Sequence, residues 1–202
     1  MKTNIRKKPV AIVLSFLIIL SFALISCQKE QQTKPAKTDL ALESNLSSSD
    51  LSSVILSVTG GGTGTFGTDL DGDGDIDGSH FGLSVSIYGD GSAKGHFECN
   101  MAGNADILGL HLMAVTGKVT NGFVNTNGSA TFSGVGTVNL GSGEIYKDMS
   151  FIVTVTEGAP GTGTLTLIVI GAFDGVPGDT IIGNGNYDLP TETVATGQIM
   201  ME

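Results

Sequence analysis

The sequence contains no tryptophan, one arginine (Arg6) and only 6% aromatic residues. Beyond Lys37 its only basic residues are Lys94, Lys118 and Lys147. Nucleic-acid binding depends on Lys and Arg neutralising phosphates and releasing counterions, so no nucleic-acid partner is expected. Anionic headgroups and acidic glycans are disfavoured for the same reason. Scarce aromatics argue against a carbohydrate-stacking platform. Catalytic signatures are missing too: there is no Gly-x-Ser-x-Gly elbow with suitable partners, no His-Glu-x-x-His, no phosphate loop ending in Gly-Lys-Ser/Thr and no paired-cysteine motif. Residues 60–64 are glycine-rich but precede no helix, which excludes a phosphate cradle.

The start of the chain reads as a targeting segment. Lys2, Arg6, Lys7 and Lys8 form a positive region, and 10–25 is apolar apart from Ser15 and Ser21. Its length borders on that of a membrane-spanning helix, and the residues that follow decide between the readings. Leu24-Ile25-Ser26-Cys27 resembles the lipobox of bacterial lipoproteins. The resemblance covers about the first thirty residues and implies cleavage before Cys27, diacylation of Cys27 and attachment to a membrane through that lipid; the alternative is a retained N-terminal anchor. Gln28 departs from the Asp of the inner-membrane retention pattern. Gln28-Lys29-Glu30 is similar to the tether signals of surface lipoproteins in some Gram-negative lineages, which implies a lipid-anchored place in the outer membrane, facing the cell surface.

A lipidated Cys27 leaves Cys99 as the only thiol of the mature chain, so no intramolecular disulfide can form. For an exported domain, stability must then come from core size or a bound ion. Cys99 shares an alternating face with Ala93, Gly95, Phe97 and Met101, and is expected to be a small buried hydrophobe. Without residues 1–26 the chain keeps six basic against twenty acidic residues. Cations are its natural counterpart.

Residues 27–52 are polar and poor in apolar side chains, and read as a flexible tether. From 53 to 202 the composition is β-like: Val, Ile, Thr and Phe in short runs, punctuated by Gly, Asn and Asp. Candidate strands are 53–59, 80–88, 93–101, 107–119, 129–139, 145–156, 163–173 and 193–201. Gly89-Asp90-Gly91-Ser92 and Thr126-Asn127-Gly128 are hairpin-turn chemistry. No stretch is helical enough for βαβ crossovers. The expected fold is all-β: one antiparallel β-sandwich or barrel of about eight strands after an N-terminal signal and tether. Thr131-Phe132-Ser133-Gly134-Val135-Gly136-Thr137-Val138-Asn139, Phe151-Ile152-Val153-Thr154-Val155, Pro160-Gly161-Thr162-Gly163-Thr164-Leu165 and Thr196-Gly197-Gln198-Ile199 loosely resemble an all-β module of secreted bacterial proteins. That resemblance implies a fold and no functional residues.

The chemically loaded segment is Asp69-Leu70-Asp71-Gly72-Asp73-Gly74-Asp75-Ile76-Asp77-Gly78. Ca²⁺ takes about 6–8 oxygens, and carboxylates at alternate positions of a tight loop can turn toward one point while a glycine permits the bend. The pattern resembles the first part of the Ca²⁺ loop of EF-hands and of dockerin-type and thrombospondin-type repeats. In that register Asp69, Asp71 and Asp73 give side-chain oxygens, Asp75 its backbone carbonyl, and Asp77 binds directly or through water. Position twelve is His80 rather than Glu, so the set needs water or another carboxylate, with Asp90, Asp106, Asp174, Asp179 and Asp188 as candidates. The competing reading is a solvated acidic turn. His80 and His96 oppose the apolar face of their strands and are expected on the surface; His111 shares a face with Met113 and Val115.

Two functions follow. One is a non-enzymatic surface lipoprotein, its β domain supported by structural Ca²⁺, that adheres to or scaffolds an extracellular protein or glycan. The other is a barrel that binds a small apolar ligand, or a hydrolase using scattered carboxylates. A filled core favours the first, and a wide interior the second.

Overall fold

A computed structural model of the chain describes residues 53–70, 74, 76–107, 110–141 and 143–202, with the backbone alone described for 102–107 and 110–112. Cys27 and the tether lie outside the described residues. Among those described, the alternation of apolar and polar side chains produces strands and no helix. They are β1 (Val54–Thr65), β2 (Gly78–Tyr88), β3 (Ser92–Ile107), β4 (Leu110–Val124), β5 (Ala130–Asn139), β6 (Ile145–Thr156), β7 (Thr164–Val169), β8 (Tyr187–Asp188) and β9 (Glu192–Met201).

Every pairing is antiparallel, and the sheet closes on itself. The order runs β6-β5-β4-β3-β2-β1-β9-β7-β8, and β6 also pairs with β7. β1 joins first strand to last, with Val58 opposite Met201 and Thr65 opposite Thr193. β7 completes the ring: Phe151 to Thr156 of β6 lie along one side of it, and its other side pairs with β9 at Thr164 and Leu165 and with β8 at Ile168 and Val169. Closure removes the unpaired edges that an open sheet would expose.

Several strand limits differ from the sequence reading: the strand expected over 93–101 runs on to Ile107, and the one expected over 107–119 is β4, Leu110–Val124. The glycine-rich 60–64 is strand rather than loop: it continues β1 and is paired on both sides, Gly61 with Gly82 and Gln198, and Gly62 with Phe81 and Gly197. Tight closure explains the composition, because a Cβ on Gly60 would lie 2.8 Å from the carbonyl oxygen of Gln198. The strand expected over 163–173 stops at Val169, after which a loop leads to the short β8.

Inward positions fill the ring. Phe97 packs edge-on to Phe132 with centroids 6.1 Å apart and lies tilted 5.6 Å from Phe151. Phe151 finds its space over glycines of neighbouring strands: a Cβ on Gly134 would sit 2.9 Å from its ring, and one on Gly117 would collide with it. Val58, Val85, Ile87, Val153, Leu165, Leu167 and Tyr187 extend this core, each at most 2% exposed. Burying such side chains contributes roughly 1.5–3 kcal/mol each, which supports a domain without disulfides. Cys99 is 1% exposed within the same core, as its alternation implies.

Candidate functional site

The up-and-down order sorts the loops onto two ends. The chain enters β1 at the end that carries the 89–91 and 125–129 turns. The opposite end carries the 66–77 and 170–186 loops and the start of β9. Asp69 and Asp77 thus share an end with Asp174, Asp179 and Asp188, while Asp90 sits at the other. The two loops approach each other there: a Cβ on Gly178 would lie 3.8 Å from Cδ1 of Leu70.

Two of the five predicted Ca²⁺ ligands are among the described residues. Asp69 Oδ2 accepts a hydrogen bond from the Gly74 backbone N–H at 2.9 Å, and Gly74 has φ 102°. The carboxylate in the first place therefore holds the turn at the sixth, in a backbone conformation that glycine adopts without strain. Asp77 is buried; its Oδ2 accepts from the Leu70 N–H, and its carbonyl accepts from the Phe66 N–H at 3.0 Å. Asp71, Asp73 and Asp75 lie outside the described residues. Among those described, no three His, Cys, Asp or Glu side chains converge as metal ligands.

The candidate completing carboxylates are employed within their own segments. Asp174 accepts from the N–H groups of Gly183 (2.7 Å) and Gly185 (2.9 Å). Asp179 accepts from Gly175, Ile181 and Asp188. Desolvation acts to raise the Asp179 carboxyl, but these N–H groups outweigh it and hold the acid below its ordinary range. Asp188 Oδ2 accepts from the Asn184 amide at 2.7 Å. Asp90 caps its turn by accepting from the N–H and hydroxyl of Ser92. The Asp106 side chain lies outside the described residues. Tyr187 ties the 170–186 loop to the core by donating its hydroxyl to the Pro177 carbonyl at 3.0 Å. His80 and His96 are exposed, as their strand positions imply; the side chain of His111 is not among those described.

Sequence reasoning missed a buried acid. Glu192, the first residue of β9, is 1% exposed and points into the ring. Ser79 Oγ donates to its Oε2 at 2.6 Å, while Oε1 has no hydrogen-bond partner among the described residues. Gly64 makes the space, since a side chain there would collide with Oε2. Burial pushes the Glu192 carboxyl up to about 7, with Ser79 opposing the shift. Burial also raises the Cys99 thiol, as does the charge of Glu192, with the Ser79 hydroxyl opposing. Strict alternation with Val194 and the flanking Thr191 and Thr193 was the available signal: it places Glu192 on the inner face.

This geometry defines a closed, up-and-down antiparallel β module with Asp69, Asp174 and Asp179 in the loops of one end and the buried carboxyls of Asp77, Asp188 and Glu192 beside them. The chain matches no family model, no curated protein and no solved structure.

Proposed function

We propose that this chain is an exported lipoprotein, held to the outer membrane by lipid on Cys27 and facing the cell surface, whose β domain is a non-enzymatic binding, adhesion or scaffold module. The observation that carries the reading is the filled interior. Phe97, Phe132 and Phe151 meet at its centre, where an apolar ligand or a substrate would otherwise sit. Recognition then belongs to the outer face and the loops. An extracellular protein or glycan is the partner class that fits an acidic, exported module.

Ca²⁺ is the cofactor of this reading, bound by Asp69, Asp71, Asp73, Asp75 and Asp77 in a structural role. The hydrogen bond from Gly74 to Asp69 and the positive φ of Gly74 support that register. A metal that binds only the folded state raises stability by mass action. Thermal unfolding in millimolar Ca²⁺ against chelator tests the ion: the melting temperature should rise with Ca²⁺, and Asp69→Asn should reduce the rise. Equal melting temperatures in both conditions would remove calcium from the proposal. The anchor is tested in the same preparation by labelling with radioactive palmitate, which Cys27→Ser should abolish.

A further inference from the structure

Over β5, residues 150–156 of β6, β7 and β9, the outer face carries hydroxyls and no ionisable group, while Lys147 and Asp148 stand exposed nearer the start of β6 and Lys118 opposite Val135 on β4. Facing positions of β6 from 150 to 156 are Ser150, Ile152, Thr154 and Thr156, and those of β7 are Thr164, Thr166 and Ile168. One row crosses the strands as Thr131, Thr154, Thr166 and Thr191, joined by hydroxyl contacts of 2.9 Å between Thr131 and Thr154 and 3.0 Å between Thr166 and Thr191. A second row runs Thr156, Thr164, Thr193, with Thr156 and Thr164 hydroxyls 2.6 Å apart. Neighbouring strands lie about 4.8 Å apart, so the rows form a continuous patch.

At its β4 side the patch opens into a groove of about 270 Å³. Phe123 and Ile152 wall it from β4 and β6, and Thr131 and Ser133 lie between them on β5, with Asn121 at the rim. Phe123 is 56% exposed although it stands beside a well-filled core. The groove surface is mainly apolar, an open aromatic ring with only a few neutral hydroxyl and amide atoms beside it.

We infer that this face binds a neutral polysaccharide, with one sugar ring against Phe123 in the groove and the polymer running over the threonine rows. The inference rests on the binding-module reading and names its partner class and surface. Three observations choose the occupant. A charged polymer would find no counter-charge among the groove and patch residues. An extended peptide would find no strand to extend, because β5 and β6 are paired on both sides and β-strand addition needs an open edge. Threonine hydroxyls both donate and accept, matching sugar hydroxyls, while their methyls and Phe123 match the C–H faces of the ring. The sequence argues against an aromatic stacking platform, and this face is not one: a single ring stands beside hydroxyl rows.

The test uses the full chain in detergent, mixed with insoluble cellulose, chitin and curdlan, and with alginate gel as an acidic control. The protein should be retained on at least one neutral polymer, with little dependence on salt. Phe123→Ala, and separately Thr154→Val with Thr166→Val, should weaken retention by about tenfold, the scale of one good ring contact. Unchanged melting of each variant would show that the fold is intact. Retention on alginate alone, or retention equal in wild type and both variants, overturns the assignment of this face and leaves the binding-module reading standing. Self-association in the ultracentrifuge that Phe123→Ala abolishes, without polymer retention, overturns it in favour of a second copy of the chain. Release of soluble reducing sugar overturns the non-enzymatic reading instead, and leaves the face assigned if Phe123→Ala lowers that release.

Discussion

Glu192 shows how one residue can make the whole fold sensitive to pH. Its carboxyl titrates near 7 in the folded protein, against about 4.3 for an unperturbed Glu. Between those values the folded state binds more protons than the unfolded one, so stability falls as pH rises through that window. The contribution is fully present below about 4.3 and lost once pH passes 7. The expected loss is on the order of 3 kcal/mol before relaxation and water penetration reduce it. Urea unfolding at pH 5 and pH 8 measures it: wild type should lose stability over this interval, and Glu192→Gln, which keeps the volume and can still meet Ser79, should change much less. A wild-type stability that climbs with pH would show that other carboxylates dominate. The thiol of Cys99 lies in the same buried neighbourhood and is held protonated, the condition under which thiols are inert.

Among elements, the packing of Phe151 against two glycines couples β4, β5 and β6. Gly117 faces Gly136 across β4 and β5, and Gly134 faces Phe151 across β5 and β6. Alanine at 117 would push against both the Phe151 ring and the Val135 carbonyl oxygen, 2.8 Å from the added carbon. Overpacking of this kind costs about 1–3 kcal/mol, so Gly117→Ala should lower the urea midpoint clearly. Gly128→Ala is a useful contrast, because its neighbourhood is open but its φ of 84° is strained for alanine; the fault there is in the backbone, and Gly128→Asn should recover part of the loss. Strands with unbroken alternation, such as Phe81, Leu83, Val85 and Ile87, could be assigned from pattern alone. The second half of β1 could not, because 60–64 offers only the Thr63 side chain from which to read a face, and its two partners make it a strand.

For the whole molecule, closure depends on β9, which brings the end of the chain back to β1 and β7. Removing Glu192–Met201 would expose the edges of β1 and β7 and delete the inward Val194 and Ile199. Such a chain should lose its cooperative unfolding transition, whereas a sheet that remained open but stable would still melt cooperatively by circular dichroism. The same closure arranges the loops: strands that alternate in direction send 66–77 and 170–186 to one end and 89–91 to the other. That is why Asp90 is separated from Asp69 although the two lie closer in sequence than Asp69 and Asp179.

By itself the sequence determined the all-β class, most strand positions, the burial of Cys99 and the acidic balance, because each depends on local alternation, turn chemistry or simple counting. It also carried the lipobox-like Leu24-Ile25-Ser26-Cys27 and the Asp-rich pattern, which are local motifs. Only the tertiary structure decided that the sheet closes, that Glu192 lies beside Ser79, that Phe123 and Ile152 wall one groove, and that threonines from four strands line up in rows. These depend on pairings between residues as distant as Thr65 and Thr193. No local pattern encodes such register, since it is set by how all the strands bury their inner faces together.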